Sequence, residues 1–344
     1  MLSSLQLRNF RCFESMAVAF SSGFNFIVGA NGLGKTTLLE AACVLLRLQS
    51  QRSTSLGPAV RAGQRSFVVS GNVDDHSLQF FYSPLRRKLA FDGIEQHDHS
   101  EYLRLARVVS FANHDLDLVR GPAELRRRYL DFIGGQVDAR YRPALRAYER
   151  ALRSRNALLK SPRPRPKELE AYAEPLVRAG CLLRQMRADL VDRLKPYAIS
   201  SQNAISGKRE TLAVEYAPGC DKDFATHLQQ ARNEDERLRV TTVGPHRDDL
   251  ILTVQAMPAA QFASEGQQRT IALALKLAQA QVFTENSASA PLLLIDDIFG
   301  ELDTTRRHAL LGHLPNDSQK IVTATSLAWF DGAIEGPVLN LADL

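Results

Sequence analysis

Glycine, lysine and threonine recur between Gly29 and Thr36 at the spacing G-x-x-x-x-G-K-[ST], which makes a phosphate-binding loop. The glycines let the chain curl until successive N–H groups point at one set of oxygens, and a following helix adds its positive end. Lys35 has the reach and charge for β- and γ-phosphates, and Thr36 offers a hydroxyl to Mg²⁺. A second chemical stretch is Leu292-Leu293-Leu294-Ile295-Asp296-Asp297. An apolar run ending in aspartate is how a buried strand delivers a carboxylate to the magnesium of such a loop, so Asp296 is expected to bind it directly or through water. Asp297, one residue on, is placed to polarise an attacking water as general base. In a third stretch, Ser264-Glu265-Gly266-Gln267-Gln268, a serine hydroxyl and a glycine N–H at a helix start can grip a γ-phosphate by the same anion logic. Together these residues imply binding of a nucleoside triphosphate.

Each station needs an element behind it. Phe24-Asn25-Phe26-Ile27-Val28 reads as a buried strand running into the loop, and 37–48 as a helix with Leu38, Leu39, Ala42, Leu45 and Leu46 on its apolar side. The alternating stretches 5–10 and 16–20, taken with 24–28, predict three short strands forming an antiparallel lead-in. A hairpin is expected over 67–73 and 78–82, a further strand over 88–91, and one leaving the sheet at 108–111. Strands are expected again at 211–216 and 250–254, a long helix from the Ser264 station to about Phe283, and a parallel strand at 321–325.

Between these parts the pattern turns helical. Tyr141, Leu145, Tyr148, Leu152 and Leu159 keep three-four spacing, and a Pro/Arg turn follows at 161–166. Leu169, Tyr172, Leu176, Ala179, Leu183, Met186, Leu190, Leu194 and Tyr197 then continue on a seven-residue pattern, the mark of a helix packed lengthwise on a partner. Pro175 inside that stripe predicts a kink or a late start. The expected organisation is an α/β nucleotide-binding domain in two parts, 1–100 and 206–344, with a helical arm inserted at 101–205. The arm carries Arg126, Arg127, Arg128, Arg146, Arg150, Arg153 and Arg155, which suit either DNA phosphates or a solvated face.

The 344 residues suffice for two domains, and 44% hydrophobic with 24% charged residues is the balance of an ordinary soluble protein. No stretch approaches the roughly 18 apolar residues of a membrane span, nothing begins a signal peptide, and Cys12, Cys43, Cys181 and Cys220 have no metal-ligand spacing. A cytoplasmic location is expected. The net charge of +5 permits a polyanionic partner without requiring one.

The Ser264 station resembles the signature motif of ABC-type ATPases, in which it acts on nucleotide held by the opposite subunit. Loop, signature, strand-Asp-Asp and Glu301-Leu302-Asp303 also follow the ABC order. More specifically, Leu7-Arg8-Asn9-Phe10-Arg11, the Gly-Ala-Asn-Gly-x-Gly-Lys-Thr loop, the run 121–131, Gly244-Pro245-His246-Arg247-Asp248-Asp249 and Gly266-Gln267-Gln268-Arg269 resemble the RecF family. These are bacterial recombination-mediator ATPases related to SMC heads. The resemblance implies a mixed α/β ABC-type ATPase head with a helical arm; with Asp297 one methylene shorter than the usual glutamate base and no switch histidine, hydrolysis of ATP with Mg²⁺ is expected to be slow. The resemblance also implies an ATP-dependent homodimer, binding to DNA at gaps or duplex–single-strand junctions, RecR as partner, and roles in recombinase loading, replication, repair and the SOS response. It carries nucleotide contacts onto Arg11, Gly29, Ala30, Asn31, Gly32, Leu33, Gly34, Lys35, Thr36 and Thr37. Contacts across the dimer fall on Ser264, Gly266 and Gln267, metal on Thr36 and Asp296, catalysis on Lys35 and Asp297, and the dimer interface on Asp303.

Departures from the family pattern are visible. Phe111-Ala112-Asn113-His114-Asp115-Leu116 replaces a usual Phe-x-Pro-Glu-Asp-Leu, and Glu265 stands where glutamine is usual, bringing negative charge towards a triphosphate. The 244–249 segment fits either a tight turn entering a strand or a contact with nucleotide or DNA. The other function classes are a transporter's nucleotide-binding subunit and a small-molecule P-loop kinase. The first lacks a switch histidine at Thr325-Ser326 and a Q-loop glutamine; the second has no use for the signature helix.

Overall fold

The computed structural model describes all residues except 54, 98, 100, 101, 104, 163–165, 222, 286–289, 329–334 and 344. The middle of the expected Pro/Arg turn thus lies outside the described residues. The strands in chain order are β1 (Leu2–Phe10), β2 (Phe13–Ala19), β3 (Phe24–Val28), β4 (Phe67–Val73), β5 (His76–Tyr82), β6 (Arg87–Phe91), β7 (Ile94–Glu95) and β8 (Val108–Ala112). They continue as β9 (Leu212–Ala217), β10 (Asp249–Val254), β11 (Met257–Pro258), β12 (Leu292–Asp296), β13 (Lys320–Ala324) and β14 (Val338–Asn340). The chain divides into two compact units, Met1–His114 with Gln279–Leu344, and Asp115–Ala278.

The first unit holds two sheets. One is antiparallel, in the order β2-β1-β4-β5-β6-β7; the other is parallel, β14-β3-β13-β12-β8. The expected antiparallel lead-in is therefore corrected: β1 pairs with β2 through Leu5↔Val18, but β3 joins the parallel sheet. The reason is burial. Asn25, Phe26 and Ile27 are covered on both faces, as the middle strand of a parallel sheet requires, whereas β2 alternates towards solvent. The helix Lys35–Arg47 packs against strands of both sheets and is buried nearly all round. A helix in that position has no solvent face to keep polar, which accounts for the run Leu-Leu-Glu-Ala-Ala-Cys-Val-Leu-Leu.

The second unit is built on one helix of 41 residues, Pro166–Ser206, about 60 Å long at 1.5 Å per residue. It begins ahead of Pro175 and takes in both Pro175 and Pro196, so there is no late start. Its stripe packs on Tyr141–Leu159, with Tyr148, Leu176, Leu183, Phe224 and Leu228 in one cluster; Tyr172, expected in the stripe, is exposed. The unit does not end at 205 as expected. Phe224 and Leu228 share the cluster of the long helix, and β9 pairs with β10 and lies against the same helix, so the residues up to Ala278 belong to this body.

Candidate nucleotide site

β3 delivers Gly29 to the mouth of the first unit, where the loop turns back into the helix Lys35–Arg47. Gly32 and Gly34 sit at φ 88° and 101°, a region that side chains avoid. A Cβ on Gly34 would stand 2.5 Å from the Phe13 ring, so the hairpin after β1 fixes the loop from beneath. Lys35 is buried, and its ammonium donates to the carbonyls of Gly29 at 2.6 Å and Ala30 at 3.1 Å, holding the charge inside the loop.

Thr36 and Asp296, 260 residues apart, meet here: the threonine hydroxyl donates to Asp296 Oδ1 at 2.9 Å. Thr323, paired with Asp296 across β12 and β13, donates its hydroxyl to the same oxygen at 2.7 Å. With its proton directed at Asp296, the Thr36 oxygen keeps its lone pairs for a cation. A hydroxyl and a carboxylate are the oxygen donors that a hard cation such as Mg²⁺ selects, and the pair fits that ion. Asp297 lies at φ 50°, with its N–H on the Thr323 carbonyl at 3.2 Å and hydroxyl at 3.1 Å. Burial raises its pKa above the ordinary aspartate value, against the opposing pull of Lys35. Lys35, Thr36 and Asp297 line a cleft of about 550 Å³ together with Arg11, Asn31 and Arg52, and Asp296 is tied to it through Thr36.

Arg11 reaches the cleft as expected, but its guanidinium is already engaged. It grips the buried carboxylate of Glu40 with two hydrogen bonds, 2.9 and 2.7 Å, and donates to the Pro58 carbonyl at 2.8 Å. Ser50 donates to the same carboxylate at 2.5 Å, and Arg52 stands 3.6 Å from it. Sequence reasoning missed Glu40, Arg52 and Thr323. For Glu40 a signal existed, since it is the only charge in a nine-residue apolar run of the loop helix.

Ser264, Gly266 and Gln267 are not among the residues lining this cleft. They open the helix Glu265–Glu285 with a reciprocal cap: Gln267 N–H donates to Ser264 Oγ at 3.3 Å, and Ser264 N–H to Gln267 Oε1 at 2.8 Å. Ser264 is exposed, and Glu265 is drawn along its own helix to Arg269 at 3.2 Å. Asp303 caps the helix Thr304–His313 by accepting from the Arg306 N–H at 2.9 Å.

The segment 244–249 is a turn locked inside the second unit. Asp248, fully buried, accepts from Arg187 at 2.7 Å, Tyr216 at 2.6 Å and the Gly219 N–H at 2.7 Å, and Arg187 also holds Asp131 at 2.8 Å. His246 bonds Tyr148 Oη at 2.7 Å and the Thr241 carbonyl at 2.8 Å. A Cβ on Gly244 would meet Tyr148 Oη at 2.6 Å. The basic-arm expectation is corrected in part by the same network. Arg126 is bidentate on Asp249 (2.7 and 3.0 Å), Arg127 donates to the Asp248 carbonyl at 2.7 Å, and Arg155 is buried against Asp235 and Thr241. Arg128, Arg146, Arg150 and Arg153 remain exposed.

A parallel sheet ending in a phosphate loop and an Asp-Asp strand, beside an antiparallel sheet, with a signature helix and a helical arm, defines an ABC-type ATPase head. The chain belongs to the RecF/RecN/SMC N-terminal domain family, whose model matches residues 1–335, and within it to the RecF proteins. A Gloeobacter violaceus relative named DNA replication and repair protein RecF is 37% identical, over 96% of this chain and 93% of its own. One of the same name from Symbiobacterium thermophilum is 36% identical, over 95% and 92%. A solved structure described as the recombination mediator protein RecF-ATP in the RecFOR pathway superposes with a TM-score of 0.88 at 27% identity, covering 98% of this chain and 95% of that one. An Smc head bound to the C-winged helix domain of ScpA gives 0.51 at 16% identity, a likeness of fold alone. None of these relatives is a transporter subunit, and that alternative is not favoured.

Proposed function

We propose that this chain is a Mg²⁺-dependent ATPase of recombinational repair that closes as a homodimer on DNA at gaps or junctions and works with a RecR partner. The gathering of Lys35, Thr36 and Asp297 in one cleft, with Asp296 hydrogen-bonded to Thr36, carries the nucleotide part. The relatives' names, DNA replication and repair protein RecF, support the DNA part. Loop N–H groups and Lys35 bind and orient the β- and γ-phosphates. Thr36 and Asp296 hold the cation, which when bound neutralises charge on those phosphates. Asp297 orients the attacking water and takes its proton. Ser264, Gly266 and Gln267 complete the site from the second copy, Asp303 lies at the interface, and hydrolysis resets a slow clamp. Among the described residues no helix is long and apolar enough to cross a membrane, and the setting is the cytoplasm.

The test is a fluorescent-DNA titration with and without ATP at several salt concentrations. ATP is expected to tighten binding, the affinity to fall linearly on a log–log plot against salt, and Lys35→Ala to bind weakly. Lys35→Ala binding as tightly as the parent at matched salt overturns the closed-clamp reading.

A further inference from the structure

Among the described residues, the most exposed large apolar side chain is not on a broad face. Leu85, 99% exposed, stands at the tip of the β5–β6 hairpin in Ser83-Pro84-Leu85-Arg86-Arg87-Lys88. A single exposed leucine is ordinary. Its mounting is not. Ser83 and Arg86 close the turn on each other through both backbone pairs, 2.8 and 3.3 Å, and the Ser83 hydroxyl stands 3.0 Å from the Arg86 N–H. Pro84 fixes the first central residue, so Leu85 is presented with little conformational freedom to lose. The hairpin below is stiffened by Tyr82, stacked on Phe67 at 5.2 Å and lying beneath the Arg87 guanidinium at 5.4 Å.

Charge points to the occupant. Arg86, Arg87 and Lys88 follow the leucine directly, and among the described residues the carboxylate paired with them is Glu95, 2.9 Å from Lys88 and 3.8 Å from Arg86. One leucine is too small an apolar area for a protein docking patch. A rigid apolar tip followed by cations is instead the construction that enters a base step while its neighbours hold phosphates. We propose that the 83–88 tip contacts duplex DNA, with Arg86, Arg87 and Lys88 on backbone phosphates and Leu85 wedged against the open base-pair face of a duplex–single-strand boundary. The proposal rests on the DNA-binding reading above and supplies its junction preference.

The full chain with ATP is titrated with plain duplex and with a duplex carrying a single-stranded extension and 2-aminopurine at the boundary pair. The parent is expected to raise the 2-aminopurine fluorescence. Leu85→Ala is expected to lose that signal and bind the junction about tenfold more weakly, from the burial of one leucine, with plain duplex unchanged. Arg86→Gln with Arg87→Gln and Lys88→Gln is expected to lower the salt slope on both DNAs by roughly 0.9 per lost phosphate contact. Unchanged ATP affinity and melting temperature control for folding. A parent that binds DNA with no fluorescence change, or a Leu85→Ala protein that matches it on the junction, overturns the wedge alone. A parent that binds neither DNA overturns the DNA-binding reading and the wedge with it.

Discussion

Asp297 occupies a left-handed backbone position at φ 50°, costly for a residue with a Cβ, and is kept there by two bonds from its N–H to Thr323. That aims its carboxylate into the cleft, yet an aspartate is one methylene shorter than a glutamate base. A 1 Å misplacement of the water costs about a hundredfold, so turnover is expected at or below roughly 1 s⁻¹. Asp297→Asn is expected to keep ATP binding and lose a further hundredfold or more, the usual worth of a general base. Nucleotide binding and single-turnover hydrolysis measured side by side check this, and a parental rate of tens per second refutes it. His246 gives a residue-level prediction of another kind. Burial lowers its pKa below 6.5, so the folded protein prefers the neutral ring. Its contribution to stability is present above that value and is lost as pH falls from 6.5 towards the lowered folded pKa. Melting temperatures between pH 7.5 and 5.5 should fall more steeply for the parent than for His246→Gln; parallel curves would refute it. At this scale the sequence was most readable where chemistry is contiguous, as in the phosphate loop and Asp296-Asp297. It was silent where the partner is far along the chain. Glu40 stands out as a charge in an apolar run, but nothing marks Arg11 as its partner, nor does anything near Asp248 announce Arg187, because such pairs exist only once the elements have packed.

Among elements, the basic arm separates into two kinds of arginine. Arg155 is buried with Nη1 2.7 Å from Asp235 Oδ2, a close ion pair whose alignment falls short of a hydrogen bond there, while the same nitrogen does bond Thr241 Oγ1. Arg155→Ala leaves a buried carboxylate without its cation and is expected to cost about 3–5 kcal/mol in urea unfolding. The exposed Arg146→Ala and Arg150→Ala should stay within about 0.5 kcal/mol. A loss under 1 kcal/mol at Arg155 would show that Asp235 finds other compensation. Of the seven arm arginines named from the sequence, Arg128, Arg146, Arg150 and Arg153 are exposed, Arg153 lying 3.7 Å from Glu149, and they test the arm as a DNA contact; an unchanged salt slope in their neutralised variant assigns them to a solvated face. Periodicity revealed the long helix and its lengthwise partner. It could not reveal where the unit ends, because β9 and the Phe224 helix carry local patterns that suit either body, and only the shared cluster with Leu176 and Leu183 decides.

For the whole molecule, the expected reaction site spans two copies, and mixing two inactive proteins tests it. Lys35→Ala removes the triphosphate contact, and Ser264→Arg, at an exposed position, keeps the cleft but obstructs closure. Each homodimer carries a lesion at both sites. A mixed dimer gathers both lesions into one site and leaves the other whole, so the mixture should recover ATP-dependent dimer and hydrolysis. A Ser264→Arg protein that hydrolyses ATP as a monomer at the parental rate would refute the shared site.

The strand order of the parallel sheet also sets a timetable. β3 is made long before its neighbours β13 and β14, and β8 must wait for β12. At about 5–20 residues per second, β3 spends on the order of tens of seconds without its partners. The antiparallel hairpins of β1, β2, β4, β5 and β6 can close in the meantime, whereas Phe24, Phe26 and Ile27 stay uncovered and open to chaperones. Thr36 likewise has no Asp296 until β12 has been made. A nascent chain interrupted before β12 has the entire phosphate loop without the carboxylate that its threonine bonds, and is expected to retain nucleotide poorly.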